Sequence, residues 1–209
     1  MITSWARFVV LSMVSKNRLE KEKIIEVAAE LFGERGYAAT SIRDISQALK
    51  VSIATLYYYF KNKEDLLFTI IESIGNDLLV MLKKAQHECD DPLDGLREML
   101  FQHIAMTDKK KNRVKVYVVE QHNLSKKFKK IIYKQHREIY DVYVDQLRKL
   151  HGLGIISSEP LPVTAFAMFG MINWCYRWYR DDGGLSIEDV AQRLIDLIFH
   201  GIMKPEKNA

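Results

Sequence analysis

Cysteine is nearly missing from this sequence. The chain of 209 residues holds 2, Cys89 and Cys175, and they form no CxxC spacing. That excludes a disulfide scaffold and suits a reducing, cytoplasmic home. Proline (4) and glycine (10) are also scarce, too few for a turn-rich β-sandwich of this length. No stretch approaches the ~20 apolar residues of a membrane-spanning helix, so no membrane partner is expected. The nearest run, Phe8 to Leu11 after Arg7, lacks the small-residue cleavage site of a signal peptide. Residues 1–15 read as a loose tail, with Met13 an alternative start, and residues 204–209 as a second tail. Catalytic patterns are lacking as well. His87, His103, His122, His136, His151 and His200 show no HExxH spacing, and Ser125, Ser157 and Ser158 have no GxSxG context. Neither a metal site, a cofactor nor an enzymatic activity is expected. No repeat, low-complexity run or strand pattern is visible.

What is present is ordinary globular composition, 48% hydrophobic and 28% charged. At ~150 residues per domain the length fits one large domain, or a small one riding on a larger body. The charge is unevenly placed. Residues 1–63 hold 10 Lys/Arg against 6 Asp/Glu, whereas residues 64–209 hold 21 of each, so the whole net charge of +4 lies in the first third. A basic module on a neutral body points toward nucleic acid.

The periodicity is helical throughout. From Lys16, the apolar positions Ile24, Ala28, Leu31 and Phe32 form one stripe, and Gly36 ends the helix. Ser41 with Asp44 has the spacing of a capping box, Ser52 reads as the next N-cap, and Asn62 with Asp65 as a third. Helix starts crowded between Ser41 and Asn62 mark a compact three-helix module over residues 16–62. In the short helix after Ser52, Leu56 and Phe60 lie on one face, suited to packing on the first helix. Ile53, Ala54, Tyr57 and Tyr58 then fall on the solvent side, where charged residues would be ordinary, so a partner surface is indicated. Two short helices joined at Leu49-Lys50-Val51 have helix-turn-helix proportions, with the second helix shaped for a major groove.

The segment from Gly36 to Leu67, GYAATSIRDISQALKVSIATLYYYFKNKEDLL, closely resembles the DNA-binding signature of the TetR family of one-component transcriptional regulators. The resemblance implies phosphate contacts from Thr40, Ser41, Ser52, Tyr57, Tyr59 and Lys63. It implies base-edge or groove contacts from Ile53, Ala54, Thr55 and Tyr58, with double-stranded operator DNA as partner. Lys50 departs from the glycine frequent in this turn, and a non-glycine residue at positive φ costs about 1 kcal/mol. Ile53 stands where the family is often basic, and suits a thymine methyl better than a guanine edge. Tyr59 replaces a frequent histidine and keeps a donor.

The same resemblance implies that residues 63–203 form a ligand-binding and dimerising domain, completing an all-α fold behind the N-terminal helix-turn-helix domain. Further helices are expected from Lys63 to about Lys84, after Asp91-Pro92, around Val114–His122, from Ser125 to about Leu150, over Val163–Tyr179, and after the cap at Ser186. Met168, Met171, Ile172, Leu194, Leu197 and Ile198 read as more apolar surface than one body can bury, which predicts a homodimer through the last two helices. The segment GMINWCYRWYRDDGGLS resembles TetR-like repressors of fatty-acid and sterol degradation that sense acyl-CoA thioesters. Residues 108–137 carry 11 Lys/Arg against Asp108 and Glu120, a one-sided strip suited to CoA phosphates, to DNA flanks or simply to solvent. The acyl tail is expected among Phe101, Ile104, Tyr117, Tyr140, Phe169 and Trp174, with the phosphates at Lys126, Lys127, Lys130 and Lys134. A drug- or aromatic-responsive repressor is the alternative effector reading, and a helical adaptor without DNA binding the alternative class.

Overall fold

The computed structural model describes residues 4–157 and 160–202, with side chains from residue 17 onward. Nine α-helices and one short 3-10 turn account for the regular structure of the described residues. The first, α1 (Ser4–Arg35), begins well before Lys16. Residues 4–15, expected as a loose tail, therefore continue the helix. No proline interrupts Ser4–Arg35, and Ala6, Arg7, Leu11 and Met13 are good helix formers. The expected tail at 204–209, residues 1–3 and Ser158 lie outside the described residues.

Gly36 stops α1 at φ 86, where its N–H donates to Phe32 O at 3.0 Å. The next helix, α2 (Ile42–Leu49), opens on the expected capping box: Asp44 N–H donates to Ser41 Oγ, and Ser41 N–H to Asp44 Oδ2 at 2.7 Å. Lys50 then takes the left-handed conformation (φ 56, ψ 40) that a glycine would hold at less cost. Ser52 caps α3 (Ile53–Tyr59) by accepting from Thr55 N–H, and Asn62 caps α4 (Lys63–Glu88) by accepting from Asp65 N–H at 2.8 Å. Leu56 and Phe60 turn inward and are buried with Ile24, Ala28 and Phe32 in one core that continues into the body.

In the body, Asp91 and Pro92 start α5 (Pro92–Lys109), and the single residue Lys110 separates it from α6 (Lys111–Val119). A 3-10 turn at Glu120–Asn123 leads to α7 (Lys126–Gly152), followed by α8 (Leu161–Trp178) and α9 (Ile187–Ile202). The long α4 leaves the head and packs between α5 and α7, α6 lies along α1, and α9 covers α5. At Gly75, α4 passes so close to α7 that Gln135 reaches across and donates to Glu72 O and Asn76 Oδ1. No helix of the described residues is long and apolar enough to cross a membrane.

The apolar excess expected on the last two helices is partly absorbed within the chain. Met168, Ile172 and Ile198 are buried in the core, and Met171 and Leu194 are half-buried. Leu197 is exposed as expected, and Val163, Phe166, Trp174 and Trp178 of α8 add to the unburied apolar surface.

Candidate functional site

The head presents α3 outward. Tyr57 is 52% exposed and Tyr58 74%, with Ile53 and Ala54 beside them in solvent, so the face is apolar and aromatic. Backbone position explains it. Once Leu56 and Phe60 face the core, the residues between them must face away. Ser41 and Ser52 are exposed, although both hydroxyls are occupied by caps, Ser52 also pairing with Thr55 Oγ1 at 2.8 Å.

Three candidate phosphate ligands are committed elsewhere. Thr40 is fully buried, and its hydroxyl donates to Gly36 O at 2.9 Å and Leu31 O at 3.2 Å. The side chain pins the turn between α1 and α2. Lys63 donates to Tyr37 O and Thr40 O, both at 2.8 Å, and its ammonium lies 4.0 Å from the Tyr37 ring centre. Burial holds its pKa below the usual lysine value. Tyr59 donates to Glu20 Oε2 at 2.7 Å, which pushes its phenol up to about 12. These residues aim α3 from behind. The groups left free at its front are Ile53, Ala54, Tyr57 and Tyr58.

An open-sided cavity of about 550 Å³ lies between α4, α5, α6, α7 and α8. Of the expected ligand residues, Tyr117, Tyr140 and Phe169 line it. Ile104 is fully buried core, Phe101 packs against the core, and Trp174 stands 55% exposed beneath Arg177. Lys126, Lys127, Lys130 and Lys134 do not line the cavity, because they project into solvent from the first turns of α7. That end of α7 packs on the first two turns of α4: Ser125 N–H donates to Glu64 Oε1 at 2.6 Å, and Phe128 stacks on Phe68. The rest of the basic strip is largely paired, Lys110 with Asp77, Lys111 with Asp181, Arg113 with Glu22 and Glu26, and Arg137 with Asp141.

The lining also includes residues the sequence reading missed: Leu78, His103, Val118, Gln121, Tyr133, His136, Arg137, Ile139, Phe166 and Asn173. Tyr133, His136, Arg137 and Tyr140 recur at i, i+3, i+4 and i+7, and Phe166, Phe169 and Asn173 at i, i+3 and i+7. Both are one-face patterns that were readable in the sequence. At the wall, His103 Nδ1 meets Tyr143 Oη at 3.1 Å. Complete burial pushes the His103 imidazole down to about 4 and lowers His136 in the same direction, so both are neutral at pH 7. Between pH 6.5 and 4 the unfolded chain therefore binds a proton at position 103 that the folded chain refuses. Stability should fall on acidification across that window, by up to about 1.4 kcal/mol per pH unit. Urea unfolding at pH 7 and pH 5 should show the loss in the parent protein and a smaller one in His103→Gln.

A small capped head that displays one helix, carried by a helical body with a cavity, is the architecture of one-component helix-turn-helix regulators. The family profile described as bacterial regulatory proteins, tetR family, matches residues 24–70, and that described as tetracyclin repressor-like, C-terminal domain, matches residues 89–202. The biofilm operon regulator IcaR of Staphylococcus epidermidis is 27% identical over 86% of this chain and 95% of its own. PfmR of Thermus thermophilus superposes with a TM-score of 0.81 at 30% identity, over 87% of this chain and 99% of that one. AibR, solved in complex with isovaleryl coenzyme A and operator DNA, superposes with a TM-score of 0.78 at 28% identity, over 86% and 97%. The chain belongs to the TetR family, and it is a DNA-binding transcriptional repressor of that type.

Proposed function

We propose that this repressor binds a palindromic operator as a homodimer and leaves it when an acyl-CoA thioester enters the cavity. The observation that carries the effector reading is the chemistry of the cavity wall: aromatic and aliphatic side chains with neutral polar groups, Arg137 at its edge, and no carboxylate among its lining residues. A cationic drug would lie there without a counter-charge, at a large desolvation cost. A thioester places its hydrocarbon against Ile139, Phe166 and Phe169, and its anionic end toward Arg137, which would exchange Asp141 for it. Lys126, Lys130 and Lys134, spaced four apart on α7 and leading toward Arg137, extend the positive surface outside the mouth. AibR, which takes isovaleryl coenzyme A, supports the reading by likeness. The exposed apolar residues of α8 and α9, Val163, Phe166 and Leu197, support pairing through those helices.

The test measures operator release from the full-length protein, first shown by sedimentation to be a dimer, against acyl-CoAs of several chain lengths, free fatty acids, CoA alone and cationic dyes. Release by acyl-CoA alone is expected. Release by a free acid, an uncharged aromatic or a dye, with acyl-CoA inert, would favour the drug- or aromatic-responsive alternative, which the five aromatic rings of the cavity wall also accommodate.

A further inference from the structure

Four of the first five residues of α7 are lysines, Lys126, Lys127, Lys129 and Lys130, and no acid occurs between Glu120 and Glu138. Cations there face the positive end of the helix dipole and repel one another. Distant acids neutralise the basic strip from Lys110 to Arg113, but not this turn. Among the described residues, ion pairs on α7 begin only at Lys134 with Glu138 and Arg137 with Asp141. Lys129 donates to His122 O, Lys127 leans over the Phe128 ring, and Lys126 and Lys130 stand in solvent. A solvated helix face ordinarily mixes both signs, and a local rule broken at local cost marks a functional site.

The packing of α7 sets where these lysines lie. Its partners on α4 advance in step: Ser125 meets Glu64, Phe128 meets Phe68, Gln135 meets Glu72 and Asn76, and Gln146 meets Gln86. The two helices therefore run parallel, and the lysines are level with the start of α4, which follows the end of α3 after Phe60, Lys61 and Asn62. The 3-10 turn leading into α7 closes on the head itself. Glu120 is buried beside Gly36, where a Cβ would meet its Oε1 at 3.8 Å. Lys126 thus stands at the reading-head end of the body, about two turns before Tyr133, the first cavity residue of α7.

The geometry points to a second DNA contact, made by the body: Lys126, Lys127 and Lys130 engage backbone phosphates flanking the base pairs that α3 reads. The inference rests on operator binding through α3 and on nothing about the effector. A phosphate backbone supplies the row of opposite charges that this turn lacks, and a lysine ammonium meets it as a point charge without a fixed geometry. Such contacts carry no sequence information, so they add affinity and salt dependence but no base preference. Lys126 and Lys130, which also extend the positive surface near the cavity mouth, serve the operator whenever DNA is bound.

The experiment measures binding of the intact, effector-free protein over a range of salt concentrations to two duplexes. One is the palindrome alone, and the other extends it on each side by about one helical turn, ~10 bp, of unrelated sequence. The variants are Lys126, Lys127 and Lys130 all changed to glutamine, the same three changed to arginine, and a control with Lys83, Lys84 and Lys149 changed to glutamine. The control removes equal charge from the opposite ends of α4 and α7. Wild type is expected to bind the extended duplex at least ~10-fold more tightly than the palindrome, with a steeper salt slope. The glutamine triple should lose most of that advantage, its slope flattening by about 2–5 per dimer at roughly 0.9 per phosphate lost, while the arginine triple keeps both. A wild type indifferent to the flanks, a glutamine triple no weaker than the control, or an arginine triple as weak as the glutamine one would overturn the inference. Tyr57→Ala with Tyr58→Ala separates it from the reading of α3. Undiminished binding by that variant, with the lysine effect intact, would discard α3 as the reading helix and leave the lysine contact standing.

Discussion

Replacing Glu22 and Glu26 together by glutamine is expected to destabilise the protein by about 3–5 kcal/mol, whereas Arg113→Met should leave stability nearly unchanged. The asymmetry follows from burial. The Arg113 side chain is 3% exposed, while its partners Glu22 and Glu26 are 56% and 59% exposed, with Glu26 Oε1 at 2.6 Å. Taking away the glutamates strands a desolvated guanidinium whose Nε already lacks a partner. Taking away the arginine releases two carboxylates that water can reach, and methionine fills the stem's place. Urea unfolding of the three proteins measures it, and a loss in Arg113→Met as large as in the glutamine pair would refute the argument. The same ion pairs tie α6 to α1. Arg113 and the cavity residue Tyr117 are four apart on α6, so one short helix joins the cavity to α1, and through Glu20 to Tyr59 behind the recognition helix. Arg113→Met should accordingly bind effector normally yet release operator less completely, a loss within the ~1–3 kcal/mol of ordinary coupling energies.

The second large effect lies on DNA. Tyr57→Ala combined with Tyr58→Ala should lower operator affinity by roughly 10²–10³-fold, since truncating an interface tyrosine commonly costs ~2 kcal/mol and neighbouring losses are not fully additive. Both rings stand mostly in solvent, so the unfolding midpoint should not move. Tyr57→Phe should weaken all sequences alike, as loss of a phosphate contact does. Ile53→Ala should instead change preference at one base pair, by about 1–3 kcal/mol. Gel shifts at two salt concentrations separate the two behaviours. Undiminished binding by the double variant would remove α3 from the interface.

Punctuation made the head legible. Ser41 with Asp44, Ser52 and Asn62 are caps that act within one turn of chain, so local sequence determines them, and each forms as read. The outward face of α3 was readable for the same reason, by subtraction of Leu56 and Phe60. The roles of Thr40 and Lys63 were not. Their partners at Leu31, Gly36, Tyr37 and Thr40 depend on how the turn after α1 folds back, and the family resemblance implied phosphate. The cavity was half legible. Helical spacing exposed Tyr140 and Phe169, but nothing local tells whether an aromatic stripe faces a void or a neighbour, and Ile104 and Phe101 face neighbours. Charge misled most. A run rich in lysine looked one-sided because the acids that neutralise it, Asp77, Asp181, Glu22 and Glu26, come from distant parts of the chain.

The brevity of α6, nine residues from Lys111 to Val119, constrains how this protein can change its chemical taste. Tyr117 and Val118 touch the cavity while Arg113 touches α1, so there is no stretch of α6 that can be altered for one task without disturbing the other. Selection for a new inducer, in nature or in the construction of a biosensor, should therefore accumulate its substitutions on α8, at Phe169 and Asn173. That helix packs on α5, α6, α7 and α9, so its cavity side can diversify while the switch to the reading head is inherited intact.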